Sequence, residues 1–189
     1  MTVPFLLYGS NGFVGDAIAR LAIQQGLQPI LAGRNTGRVA AQAAELNLPY
    51  RVFPLDDPAA IDNALQDVPV VLHCAGPYRH TSRPMADACI RTGVHYLDLT
   101  GEIPVLSALA TRDTEARIRG VMLLPAVGFD VVPTDCLAAH LKNRLPTATS
   151  LALAFHTHGP AGLPPGTANT MLETIPLGFK LRRAGKMVN

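Results

Sequence analysis

Gly9, Gly12 and Gly15 stand three residues apart between an apolar run, Leu6-Leu7-Tyr8, and a helical face made by Val14, Ala17, Ile18, Leu21 and Ala22. That is the pattern of a strand, a tight turn and a helix. Such a junction leaves backbone N–H groups at a helix N-terminus, where the helix dipole favours negative charge, and a pyrophosphate fits there. Glycine serves where a Cβ would block a positive φ, the approach of phosphate oxygens, or helix-on-strand packing. The candidate phosphate-binding residues are therefore Gly9, Ser10, Asn11, Gly12, Phe13, Val14 and Gly15. The spacing G-x-x-G-x-x-G departs from the commoner G-x-G-x-x-G, and an ordinary strand-to-helix turn competes with the binding reading. Context decides between them.

The context is a chain in which short apolar segments and helical stripes alternate. Gly26 caps the first helix, and 28–32 reads as a second strand followed by Gly33-Arg34-Asn35-Thr36. A stripe from Val39 to Leu46 predicts a helix, and 50–55 a third strand. Asp57 as N-cap with Pro58 behind it opens a helix to about residue 67. The run 68–75 predicts a fourth strand, buried on both faces. Thr81 or Ser82 with Pro84 starts a helix that closes at Gly93, and 95–99 is the fifth strand. One helix over 104–119, a sixth strand at 121–124 and a helix over 133–145 complete the series. Strands and helices alternating with short connections predict an α/β fold, a Rossmann-type doubly wound parallel sheet that binds a dinucleotide. Beyond Pro146, residues 149–157 read as a strand, 159–166 as a loop and Thr167 onward as a helix toward Arg183. The expected division is a nucleotide domain over 1–147 and the beginning of a second α/β domain over 148–189.

A formal net charge of +2 spread without a basic block through the first two thirds gives no reason to expect nucleic acid or a membrane surface as partner. Lys180, Arg182, Arg183 and Lys186 read as the solvated face of a terminal helix. Cys74, Cys89 and Cys136 are odd in number and sit in apolar segments, which predicts reduced thiols in a cytoplasmic protein. The N-terminal apolar run lacks a basic flank and breaks at Gly9, so neither a signal peptide nor a membrane span is expected.

Five blocks are more distinctive than the glycine turn alone: Ala32-Gly33-Arg34-Asn35, Cys74-Ala75-Gly76-Pro77-Tyr78, the run from His95 through Tyr96-Leu97-Asp98-Leu99-Thr100-Gly101 to Glu102, the run from Gly128-Phe129-Asp130 to Asp135, and Gly166-Thr167. With Gly9 to Gly15 they make the chain resemble the N-terminal part of the saccharopine dehydrogenase-like oxidoreductases, including the bacterial trans-acting enoyl reductases. The resemblance implies a nucleotide domain followed by a second α/β domain, a segment of which returns to the first.

Every one of these polar blocks is read as following a strand, so they are expected to converge on the carboxyl edge of the sheet, where open α/β sheets bind ligands. Arg34 closes the second strand, where an NAD-specific domain carries an acid; a guanidinium there pairs with a 2′-phosphate and favours NADP over NAD. Asn35 adjoins it, with Thr36 and Arg38 within reach. Asp56 can accept a hydrogen bond from the adenine amine or cap the next helix. Ala75, Gly76 and Pro77 offer small residues beside the nicotinamide ribose, and Tyr78 can pack on the ring or donate a proton. Asp98, Glu102 and Asp130 are the candidate acids for a reductase that must supply a proton, and each can equally cap a helix or hold a loop. His156 and His158 share one face of the expected strand, but no third ligand accompanies them and no metal is expected. Gly166-Thr167 presents N–H groups toward a ligand or caps its helix.

The resulting expectation is an NADP-dependent oxidoreductase acting on a small-molecule C=C or C=N bond. The alternative is a catalytically silent NADP-binding sensor or partner-binding module, with a homodimer or complementing chain meeting the second-domain segment.

Overall fold

The computed structural model describes residues 4–129, 131–154, 156, 165–175, 181–183 and 186–188. It divides into two compact units, Met1–His156 and Thr157–Asn189.

The first unit is built on six parallel strands: β1 (Leu6–Tyr8), β2 (Ile30–Gly33), β3 (Tyr50–Val52), β4 (Val70–His73), β5 (His95–Asp98) and β6 (Leu123–Leu124). Their order is β3-β2-β1-β4-β5-β6, the doubly wound arrangement with its switch point between β1 and β4. The helices between them are α1 (Phe13–Gln24), α2 (Thr36–Leu46), α3 (Pro58–Leu65), α4 (Tyr78–Thr92), α5 (Ile103–Ala110) and α6 (Asp113–Arg119), with α7 (Val132–Arg144) after β6.

Side chains alternate across a strand, and two cores result. Leu6 and Tyr8 join Phe53, Ile61, Met85, Cys89, Tyr96 and Val105 on the face covered by α3, α4 and α5. Leu7 and Leu31 meet Ala19, Val39 and Ala43 from α1 and α2 on the other. Asp57 caps α3 through a hydrogen bond from the Ala60 N–H at 3.0 Å, with Pro58 in the first turn, as its sequence predicts.

Several elements depart from the sequence reading. β4 is not buried on both faces: Val71 and His73 are covered, whereas Val70 and Leu72 are half-buried. α4 begins at Tyr78, not at Thr81 or Ser82, and Pro84 lies inside it. Its first turn is held from outside by a side chain of a distant segment, a support no local pattern encodes. The helix read over 104–119 is two helices. Thr111 Oγ1 donates to the Ala108 carbonyl at 2.7 Å, and the Arg112 guanidinium is drawn to Asp87 and Glu115, so the chain turns there.

Residues 149–154, read as strand, pair with nothing among the described residues. Strand composition describes a surface that suits a sheet, and without a partner ladder it forms none. In the second unit, α8 (Pro165–Thr174) ends before Pro176, and β7 (Leu181–Arg183) pairs antiparallel with β8 (Lys186–Val188). Residues 181–183, expected within that helix, are strand instead. Arg182, Arg183 and Lys186 consequently lie on a hairpin. Phe155, His158 and the loop over 159–164 fall outside the described residues. Among the described residues, no helix is long and apolar enough to cross a membrane.

Candidate cofactor site at the carboxyl edge of the sheet

The glycine turn lies at the switch point. Gly9 has φ +83°, and a Cβ on it would come within 2.9 Å of the Ala75 nitrogen and the Cys74 carbonyl carbon. The turn after β1 and the loop after β4 therefore touch, and only glycine fits between them. At Gly15 a Cβ would lie 2.2 Å from the Gly9 carbonyl oxygen, so α1 packs directly on the turn. The Gly9 and Ser10 N–H groups both donate to the Ala32 carbonyl, at 2.8 and 3.1 Å, and fasten the turn to the end of β2. Gly12, the N-cap of α1, offers no side-chain cap, which leaves the first N–H groups of α1, at Phe13 and Val14, to solvent or to an anion. Both residues are exposed. The Ser10 hydroxyl is buried without a partner.

Arg34 lies one residue beyond β2 and is exposed. The Asn11 side-chain oxygen is 3.1 Å from where a Cβ on Gly33 would stand, so the turn reaches to the residue before Arg34. Asn35 caps α2, its side-chain oxygen accepting the Arg38 N–H at 3.0 Å. Tyr8 donates its hydroxyl to the Phe53 carbonyl at 3.1 Å. Burial pushes that phenol up to about 12, opposed by the charge of Arg34 and reinforced by that of Asp56. Asp56 is exposed and is not the helix cap, a role its neighbour Asp57 takes.

Ala75, Gly76, Pro77 and Tyr78 follow β4, with the Gly76–Pro77 peptide cis. Tyr78 is half-buried and stacks edge-on to His73 at 5.6 Å between ring centroids. Burial is also the main cause that raises its phenol far above the ordinary value, so it stays protonated.

Asp98 and Glu102 are buried, and their carboxylates are engaged by backbone. Asp98 Oδ1 accepts the Thr100 and Ala126 N–H groups at 3.0 and 2.9 Å, and Oδ2 accepts the Tyr96 hydroxyl at 2.7 Å. Glu102 accepts the Tyr78 and Arg79 N–H groups at 2.7 and 3.0 Å, and its own N–H donates to Thr100 Oγ1 at 3.0 Å. Ala126 takes φ +63° beneath this clamp, a conformation that costs a non-glycine residue free energy and persists where surroundings enforce it. The loops after β4, β5 and β6 are in this way stitched together. Asp130 falls outside the described residues.

Two residues of this edge escaped the sequence reading. Gln42 interrupts the buried face of α2, a polar residue three places after Val39, and donates to the Ser10 carbonyl at 2.8 Å. His73, set in an otherwise apolar strand, is fully buried among Tyr8, Tyr78 and Tyr96, and neither ring nitrogen has a partner. A polar residue inside an apolar pattern was the available signal in both. His156 is exposed, and no group of three His, Cys, Asp or Glu residues among the described residues is placed to hold a metal. Cys74, Cys89 and Cys136 are free thiols.

Comparison with known proteins agrees with this geometry. The saccharopine dehydrogenase NADP binding domain family matches residues 5–123. A human saccharopine dehydrogenase-like oxidoreductase is 28% identical over 185 residues, covering 85% of this chain and 43% of that protein. A trans-acting enoyl reductase of Mycobacterium leprae is 33% identical over 148 residues, covering 74% of this chain and 35% of that protein. The chain thus spans less than half the length of these curated relatives. In fold it is similar to the saccharopine dehydrogenase (L-Glu forming) of Saccharomyces cerevisiae, with a TM-score of 0.66 at 23% identity over 76% of this chain and 31% of that one. With the glycine turn at the switch point and the family pattern running through β5, the chain belongs to the saccharopine dehydrogenase family through its NADP-binding domain.

Proposed function

We propose that this chain is the cofactor-binding part of an NADP-dependent oxidoreductase that exchanges hydride with a small-molecule C=C or C=N bond. The observation that carries the reading is an uncapped glycine turn at the switch point, with Arg34 after the neighbouring strand β2, in a sheet belonging to an NADP-binding family. The cradle fits a dinucleotide: the Gly9 position admits no Cβ, and the α1 N–H groups are placed for a pyrophosphate. Arg34 pairs with the 2′-phosphate, Asp56 accepts from the adenine amine, and Ala75, Gly76 and Pro77 border the nicotinamide ribose. When bound, the nicotinamide supplies the hydride.

Tyr78 packs against the nicotinamide end and keeps its hydroxyl proton at neutral pH. Asp98 and Glu102 hold the loops around it, and Asp130 stands as the remaining acid for proton supply. The similarity to the enoyl reductase and to the saccharopine dehydrogenase-like proteins supports a conjugated alkene or an imine as substrate class. Residues 148–189 are the opening of a substrate domain in this reading. A second reading, a silent NADP sensor, is favoured by the commitment of the Asp98 and Glu102 carboxylates to backbone N–H groups.

Titration with NADPH and NADH, followed by nicotinamide fluorescence, tests the reading. Saturable binding with NADPH preferred is expected; failure of both nucleotides to bind overturns it. Reduction of an enoyl or imine substrate by a chain that binds NADPH then separates the enzyme from the sensor.

A further inference from the structure

We infer that Gln42, on α2, is a positioning residue for the pyrophosphate-binding turn; the inference rests on the NADP(H) reading above. Gln42 is 7% exposed, and its Nε2 donates both to the Ser10 carbonyl at 2.8 Å and to Asp16 Oδ1 at 2.9 Å. Both neighbours are pure acceptors, so the amide must face them with its NH2 group, and a carboxylate in its place would meet two acceptors with none to give.

The peptide that Gln42 grips joins Ser10 to Asn11. In a planar trans peptide the C=O and N–H point in opposite directions. Drawing the Ser10 carbonyl toward α2 therefore turns the Asn11 N–H away from α2, in the same turn that precedes the uncapped start of α1. The same link runs onward. Asp16 Oδ2 accepts from Arg20 at 2.8 Å, and Arg20 reaches Glu45 on α2 at 2.7 Å. The turn, α1 and α2 are thereby linked through their side chains. The bond from the amide to Ser10 is buried, whereas the ion pairs beyond it are exposed. Exposed pairs add little rigidity; with the Gly9 and Ser10 N–H groups fastened to Ala32, Gln42 is the buried side chain that orients the Ser10–Asn11 peptide.

The test compares wild type, Gln42→Met and Gln42→Glu, using NADPH as the complete ligand and adenosine 2′-monophosphate as a probe of the Arg34 end that lacks a pyrophosphate. Both variants keep the side-chain volume, and Gln42→Glu retains a polar head for the case in which Gln42→Met does not fold. The expected result is NADPH binding weakened about tenfold or more, with the affinity for adenosine 2′-monophosphate unchanged and cooperative thermal unfolding retained. Equal NADPH affinity in wild type and variants overturns the positioning role. Equal losses for both ligands overturn it too, because a merely structural residue would weaken the whole site. Wild-type protein that binds neither ligand instead removes the cofactor reading, and this inference with it.

Discussion

Glu102 holds the first turn of α4 from outside that helix, its carboxylate accepting the Tyr78 N–H at 2.7 Å and the Arg79 N–H at 3.0 Å. A helix start leaves N–H groups without partners, and a buried acid from the loop after β5 meets two of them. The α4 start is consequently taken, whereas the start of α1, beside the glycine turn, has no side-chain cap.

Glu102→Ala strips both N–H groups of their partner inside a site where Glu102 is 5% exposed. Unfolding in urea is expected to show a loss of about 2–3 kcal/mol. Glu102→Gln, which keeps one acceptor oxygen, is expected to lose less. An unchanged midpoint for Glu102→Ala would contradict the capping role.

Arg34→Asp removes the cation expected to meet a 2′-phosphate and places a like charge against it. Charge-assisted hydrogen bonds contribute about 1.5–3 kcal/mol, so NADPH affinity should fall by about 10- to 100-fold with NADH affinity little changed. Isothermal titration with each nucleotide measures this, and equal losses would assign Arg34 a structural part only.

Gly15→Ala places a methyl group 2.2 Å from the Gly9 carbonyl oxygen, a backbone atom that cannot give way without moving the turn. We expect NADPH binding to be abolished and the melting temperature lowered. By contrast, a Cβ at Gly26 meets nothing within 4 Å and would suffer only from its φ of +74°, a cost of about 1 kcal/mol.

His73 makes stability depend on acid. Burial lowers its pKa from 6.5 to about 3, so between those values the unfolded chain binds a proton that the folded chain refuses. Its contribution is therefore fully present above pH 6.5 and is lost as pH falls toward 3, with a slope of up to about 1.4 kcal/mol per pH unit. His73→Phe removes this dependence and the two partnerless nitrogens. Thermal melts at several pH values should show the variant gaining on wild type as pH drops below 6.5; a gap independent of pH would refute the assignment.

Local sequence determined the glycine turn, the alternation of strands and helices, the Asp57–Pro58 helix start and the placing of Arg34 at the end of β2, because each rests on contacts within a few residues or on hydrophobic period. Tertiary structure alone decided what the polar groups of the carboxyl edge do. Glu102 reaches back 24 residues to Tyr78, Asp98 forward 28 to Ala126, and Gln42 across 32 to Ser10. A hydrogen bond across such separations depends on where the sheet brings two loops together, which no local pattern specifies. For the same reason α4 starts earlier than its own residues suggest, and residues 149–154, with the composition of a strand, form none without another strand to pair with.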